Sequence, residues 1–348
     1  MSTPRNKSRE GPLSGIQCLR ALAAMMVVWV HAREQFDWLS AQFPSTMGAH
    51  GVDLFFVISG LIMVVSTKGK PVDLRNFLWR RFIRIAPLYW LATAALLAIA
   101  LTLPSMMKST VVSWPHVLGS FLFFPVESPG LPGKLMPLLV PGWTLNYEMF
   151  FYLLFGTFTF FFLTSRSIVI LIVLAGLSII GWFAKLEGVL GFYCDPIVFT
   201  FGFGIILGEA LCRKNTLPHG PLISVGLFSL GAMLFVSLHG LNTGHRIVSA
   251  GIPAAIIVLG VLTSPLTLKW PVWLIQIGDS SYSLYLTHIF VLGVLRALSR
   301  PIIQGQPDPW MGWAFMGVAL AASVCVGYVV HRFIELPLTA KLHRVIQH

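Results

Sequence analysis

Apolar residues fill this chain in long blocks, and polar residues fall mostly between the blocks. Runs of spanning length lie near 14–32, 49–67, 85–103, 143–163, 167–184, 196–212, 221–238, 246–263, 281–298 and 311–331. A bilayer core of about 30 Å takes roughly 20 apolar residues as a helix. The pattern therefore predicts an all-α, polytopic membrane protein with about ten transmembrane helices. Within hydrocarbon each backbone amide must be satisfied inside its own segment, which is why these runs are read as helices. An eleventh run, "HVLGSFLFFPV" at 116–126, is too short to cross. It lies among Pro104, Pro115, Pro125, Pro129, Pro132, Pro137 and Pro141 and is read as re-entrant or interfacial.

Loop charge orients the spans. With the N-terminus inside, Lys68, Lys70, Arg75, Arg80, Arg81 and Arg84 share one inner loop. Arg166, Arg213, Lys214, Lys269, Arg332, Lys341 and Arg344 are also inner. Arg33, Lys108, Lys134, Lys185, Arg246 and Arg300 fall outside, with Arg296 near that end. The inner side is richer in Lys and Arg, as the positive-inside rule requires. Counting 116–126 as a span would invert everything after it and weaken the bias. The expectation is one transmembrane domain over 1–348 with both termini cytoplasmic, including tails at 1–13 and 332–348.

Composition agrees. The chain has 348 residues, 56% hydrophobic and 11% charged, with mean hydropathy +0.79. Soluble domains run near 25% charged, so this composition does not cover a water-exposed surface. A net charge of +11 would suggest nucleic acid in a soluble protein. Here the cations sit between apolar runs, where they set topology and meet anionic membrane lipids, and no nucleic-acid partner is expected. The four cysteines, Cys18, Cys194, Cys212 and Cys325, have no metal spacing, and there is no HExxH pattern, so no metal site is expected. Arg5, Lys7, Arg9 and "VHA" imitate a signal peptide cleaved after Ala32. Arg20 interrupts the apolar stretch, so the segment is expected to stay.

Several polar residues lie where a bilayer penalises them. A charge at a helix centre costs roughly 2.5–3.5 kcal/mol on insertion scales. Arg20 and His31 are eleven residues apart, about 1100° of rotation, which puts both on one stripe separated by about 16 Å. Such a stripe lines an internal passage; alternatively Arg20 snorkels inward and His31 caps the outer end. Asp53, in "HGVDLFFVISGLIM", begins the second span one turn after His50. It needs a partner, with His31 and Arg33 as candidates, or else forms a structural interhelical pair. Glu148 lies just over one turn into "PGWTLNYEMFFYLLFG", behind Pro141 and Gly142 and with Thr144 as a candidate N-cap; its other reading is a helix stabiliser. His31, Asp53 and Glu148 thus map to the outer leaflet, where an imidazole and carboxylates form a base with an orienting acid. On the inner side Arg81 and Arg84 share a helical face suited to phosphate, or anchor the helix. "IGDSSYSLYLTHIF" brings Asp279, Tyr282 and His288 into the ninth span, His288 reading as pore-lining, and "HRFIELPLTAKL" places Glu335 before Pro337.

These pieces together resemble the acyltransferase 3 family, integral membrane O-acyltransferases, and most nearly its exopolysaccharide-production O-acetyltransferases. The likeness runs through nearly the whole chain: Arg20-x10-His31, "GVDLFFVISG", Arg81-x-x-Arg84 with "PLYW", "WTLNYE", "SYSLYLTH" and "IELP". Many relatives carry an SGNH-type hydrolase domain after the helices, whereas this chain stops at His348 and reads as the stand-alone form.

The resemblance implies acyl transfer, acetyl above all, from cytoplasmic acyl-CoA to a hydroxyl of a cell-surface or exopolysaccharide sugar at the outer face. It implies the bacterial cytoplasmic (inner) membrane, a lipid-linked or polymeric saccharide acceptor, contact with polysaccharide assembly machinery, and no permanently bound cofactor. On the matching positions, His31, Glu148 and Asp53 are the candidate catalytic residues. Arg20, Arg81, Arg84 and Tyr89 are candidates for acyl-CoA binding, and Trp143, Asn146, Tyr282 and His288 for lining the pore or binding acceptor. His31 is either a general base oriented by Glu148 or Asp53, or an acylated intermediate. Asn146 and amides near Gly142 are candidate oxyanion donors. The main alternative is a proton-coupled secondary transporter, which would show internal repeats and paired broken helices; the sequence displays neither. A non-catalytic assembly factor for polysaccharide export is a third reading.

Overall fold

The computed structural model describes residues 11–43, 46–69, 73–104, 110–161, 165–213, 217–238, 246–299 and 308–346. Its helices are α1 (Pro12–Arg33), α2 (Asp37–Gln42), α3 (Thr46–Thr67), α4 (Leu74–Thr102), α5 (Trp114–Phe121) and α6 (Trp143–Phe161). They continue with α7 (Arg166–Ala184), α8 (Gly188–Tyr193), α9 (Phe199–Cys212), α10 (Pro221–Ser237) and α11 (Ile252–Leu262). The last are α12 (Val272–Asp279), α13 (Ser281–Leu298), α14 (Pro309–Val330) and α15 (Leu336–Ile346). A short antiparallel hairpin, β1 (Glu127–Ser128) and β2 (Leu131–Leu135), follows α5.

Among the described residues, the ten predicted spanning runs are almost wholly helical, so this is an all-α, multi-pass membrane protein. Seven helical stretches among the described residues are long and apolar enough to cross a membrane. Helices Pro221–Ser237 and Ile247–Leu262 are apolar but shorter. The first turns of α6 hold Thr144, Asn146 and Glu148, and α6 is outside the seven. Surfaces turned away from the bundle are apolar and exposed, as at Phe183 on α7 and Leu222 on α10. That is the inverse of a soluble fold and what lipid contact requires.

The bundle closes tightly between α3 and α9. A methyl group on Gly60 would lie 2.1 Å from the Phe201 carbonyl oxygen, and one on Gly204 would lie 2.0 Å from that of Val57. Small residues let membrane helices approach backbone to backbone, where packing and not the hydrophobic effect drives association. Gly204→Ala is expected to destabilise the protein by about 1–3 kcal/mol, read as a lower melting temperature in detergent. An unchanged melting temperature would mean that the seam yields.

The stretch 116–126 is too short to cross, as expected: α5 has 8 residues, and His116, Val117, Gly119 and Ser120 are buried. Two features differ from the sequence expectations. The chain after α5 folds into the bundle, burying Leu138, Leu139, Pro141 and Gly142. The Tyr285 hydroxyl donates to the Pro141 carbonyl at 2.8 Å, tying this return to α13. Consequently α6 starts inside the bundle and not at its rim. At the other end, the expected tail at 332–348 is largely helical. The stretch Pro309–Arg344 is a single 36-residue helix that passes through a π-helical turn at His331–Glu335.

Candidate active site

A slot of about 230 Å³ lies among α1, α3, α4, α6 and α13. Arg20, Ser59, Arg84, Glu148 and Tyr282 are in its wall, with Phe55, Phe56 and Tyr285. Helix α1 delivers Gln17 and Arg20 one turn apart, and Arg20 Nη1 donates to Gln17 Oε1 at 3.2 Å. Helix α4 begins on an Asp73 cap that accepts from the amides of Arg75 and Asn76. It carries Arg84 to the slot just before Pro87, and Tyr282 fixes this level by donating its hydroxyl to the Ile85 carbonyl at 2.6 Å.

Glu148 is the best-held acid in the slot. Its Oε1 accepts from Ser59 Oγ at 2.6 Å and from the Tyr152 hydroxyl at 2.5 Å. Arg84 and Arg81 both act on it electrostatically, as Arg84 acts on Arg20. Hydrogen bonds to a charged group are the strong ones, and two donors on one oxygen orient the carboxylate. Ser281 Oγ, fully buried in the slot wall, has no hydrogen-bond partner.

His31 and His288 form a separate pair. Their rings stack with centroids 5.2 Å apart and 29° between planes. His288 is fully buried, and its Nδ1 lies 2.6 Å from the Tyr285 carbonyl oxygen. A carbonyl only accepts, so Nδ1 donates, and the neutral ring leaves Nε2 as a bare acceptor. That Nε2 has no partner. His31 is more open, with 34% of its side chain exposed, and its Nδ1 lies 3.4 Å from Glu34 Oε2. Tyr285 connects the two regions: it lines the slot, packs edge-on against Phe55, and lies 6.1 Å from the His288 ring.

The expected grouping of His31 with Asp53 and Glu148 is therefore not found. Asp53 is fully buried and pairs with Arg246, Oδ2 to Nη2 at 2.9 Å and Oδ1 to Nε at 3.4 Å. Its proposed partner Arg33 instead donates to the Ser40 carbonyl. Glu148 meets α3 at Ser59, six residues beyond Asp53, about 9 Å farther along the helix. The cause is the inward start of α6, which follows the buried return at 138–142 and sets Glu148 against the interior of α3 at Ser59.

Other candidates divide likewise. Arg20, Arg84 and Tyr282 reach the slot, whereas Arg81 lines a neighbouring groove of about 920 Å³ with Asp73, Arg75, Trp79 and Phe82. Tyr89 is not in the slot: its ring is buried against Phe123 and over Gly142. Trp143 packs edge-on against Tyr147, and Asn146 is buried outside the slot with neither amide atom hydrogen-bonded. No cluster of three metal-ligating side chains occurs among the described residues.

Sequence reasoning missed Ser59, Tyr152, Tyr285 and Arg246. Tyr152 follows Glu148 by four residues, the spacing of helical neighbours, and that signal was available. Arg246 was counted as loop charge, and its pairing with Asp53, 193 residues away, has no local signature.

Cations, an oriented carboxylate and a pair of stacked imidazoles thus lie within one helix bundle. Family comparison gives the chain its class: the acyltransferase domain model matches residues 13–332. The chain belongs to the acyltransferase 3 family and is a membrane acyltransferase. It is 34% identical over 299 residues, 84% of this chain and 90% of the relative, to the exopolysaccharide production protein ExoZ of Rhizobium meliloti (strain 1021). No solved structure matches the chain.

Proposed function

We propose that this protein moves an acyl group, acetyl first among candidates, from cytoplasmic acyl-CoA to a sugar hydroxyl of an exopolysaccharide at the outer face of the bacterial inner membrane. Ten crossings with both ends cytoplasmic complete the reading. The observation that carries it is the slot, in which Arg20, Arg84 and the doubly held Glu148 meet inside the bundle. The name of the ExoZ relative supports an exopolysaccharide acceptor.

The residues divide the work by position. Guanidinium groups at Arg81 and Arg84 suit the phosphates of CoA. The slot walls, rich in Phe55, Phe56, Ile62 and Met63, suit an extended pantetheine arm. Glu148 orients what lies between Ser59 and Arg84 and does not touch His31. At the far end, the geometry supports His31 as general base with His288 as its neighbour in place of Asp53 or Glu148. The His31 ring, the more open of the stacked pair, takes the acceptor hydroxyl proton as that oxygen attacks the thioester carbonyl, and passes the proton to the CoA sulfur as the C–S bond breaks.

The test is mass spectrometry of cell-surface glycan with and without the gene. Loss of an O-acyl group on deletion supports the reading; an unchanged glycan sinks it. Solute flux in reconstituted vesicles without acyl-CoA would instead favour a transporter. For the donor, Arg84→Ala is expected to raise KM for acyl-CoA about tenfold, the loss of one charge-assisted phosphate contact. Steady-state kinetics in membranes checks this, and an unchanged KM would leave Arg84 as an anchor only.

A further inference from the structure

Tyr152 is the one described residue that lines both the slot and the neighbouring groove. Its ring is almost fully buried. On the slot side its hydroxyl donates to Glu148 at 2.5 Å. On the groove side the Arg81 guanidinium carbon sits 5.8 Å from its ring centroid, and Arg81 Nη2 donates to Ser66 Oγ at 3.0 Å. The groove is cationic at Arg75 and Arg81 and aromatic at Trp79 and Phe82. One phenol thus stands between two chambers, fastened on each side to a charged residue.

We propose that Tyr152 is a positioning residue that partitions the donor's path, with the nucleotide in the groove, its phosphates between Arg81 on the groove side and Arg84 on the slot side, and the thioester arm entering the slot past its ring. This rests on the acyl-CoA reading above. For the arm to pass, the ring has to turn, which breaks its bond to Glu148 and leaves that carboxylate held by Ser59 alone. A phosphate drawn to Arg81 competes with both Ser66 and the ring face for the guanidinium. Donor arrival and the freeing of Glu148 are then one event. Once the arm has passed, the ring turns back, restores its bond to Glu148 for the transfer step and keeps groove water out of the slot. That matters because a thioester open to water is lost: water adds to its carbonyl, the C–S bond breaks, CoA leaves as the thiol and free acid remains.

Two substitutions separate the hydroxyl from the ring. Full-length protein in lipid nanodiscs would be assayed with acetyl-CoA, with and without alkali-deacylated exopolysaccharide as acceptor. Tyr152→Phe keeps the partition and loses the bond to Glu148. It is expected to lower kcat for transfer about tenfold while KM for acetyl-CoA stays within about twofold. Tyr152→Ala opens the partition and is expected to raise acceptor-independent acetyl-CoA hydrolysis about tenfold over wild type. Phenylalanine should hold that hydrolysis at the wild-type level, which general loss of structure would not. If Tyr152→Ala fails to fold by gel filtration, Tyr152→Leu carries the same test. Wild-type hydrolysis in the folded small-residue variant, or unchanged kcat in Tyr152→Phe, overturns the proposal while leaving the donor reading intact. A wild-type protein that turns over no acyl-CoA overturns both.

Discussion

His31→Ala protein is expected to transfer acyl groups about 10²–10⁴-fold more slowly than wild type, the range lost with a general acid–base group. The site's geometry sharpens the expectation. His31 is the open member of the histidine pair, and His288 is buried with its Nδ1 committed to the Tyr285 carbonyl. His288→Ala is therefore expected to slow transfer as well, because it removes both the facing ring and the bare Nε2. His31→Gln, which keeps a polar side chain and loses the titrating ring, should be as inactive as His31→Ala. Single-turnover assays on folded protein check all three. Normal turnover in His31→Ala would place the chemistry elsewhere and leave the Arg-x10-His spacing as architecture.

Arg246→Ala is expected to cost about 3–5 kcal/mol of stability, the range for breaking one side of a buried ion pair. Asp53→Ala should cost less. The asymmetry follows from exposure: the Asp53 side chain is 0% exposed and that of Arg246 is 25% exposed. Removing the arginine strands a carboxylate away from water, whereas removing the aspartate leaves a guanidinium that still reaches solvent. Arg246 also interacts with Asp195, so its loss touches a second acid. The double variant Asp53→Ala with Arg246→Ala should recover part of the loss, because no unpaired charge remains. Melting curves in detergent complete the cycle. A double-variant loss equal to the sum of the two single losses would show that neither charge depends on the other.

Helices were legible in the sequence because membrane spans announce themselves by length and hydropathy. The family was legible because its motifs are short, ordered and chemically odd for a bilayer. Depth was not. Placing Glu148 in the outer leaflet assumed that α6 starts at a membrane surface, and nothing in "VPGWTLNYE" says that the preceding chain has already descended. Tyr285, which ties that descent down at Pro141, lies 144 residues later. Partnerships were equally hidden: Asp53 was known to need a cation, but Arg246 is no nearer in sequence than many others. Motif residues such as Tyr89, Trp143 and Asn146 were assigned to the passage by association with their motifs. Their places outside the slot show that a short signature mixes side chains that face a site with side chains that support it.

Where Gly60 and Gly204 bring α3 and α9 together, main chain abuts main chain with no flexible side chains between. Such a joint has no slack to give. The flank of the slot that carries Ser59 therefore behaves as a fixed jamb, and the travel that admits a long donor falls to the opposite leaf. That leaf holds α6 with its internal start and the α12–α13 pair with its break at Ser280. Spin labels across α3 and α9 should keep one separation throughout turnover, while labels from α3 to α13 should report two.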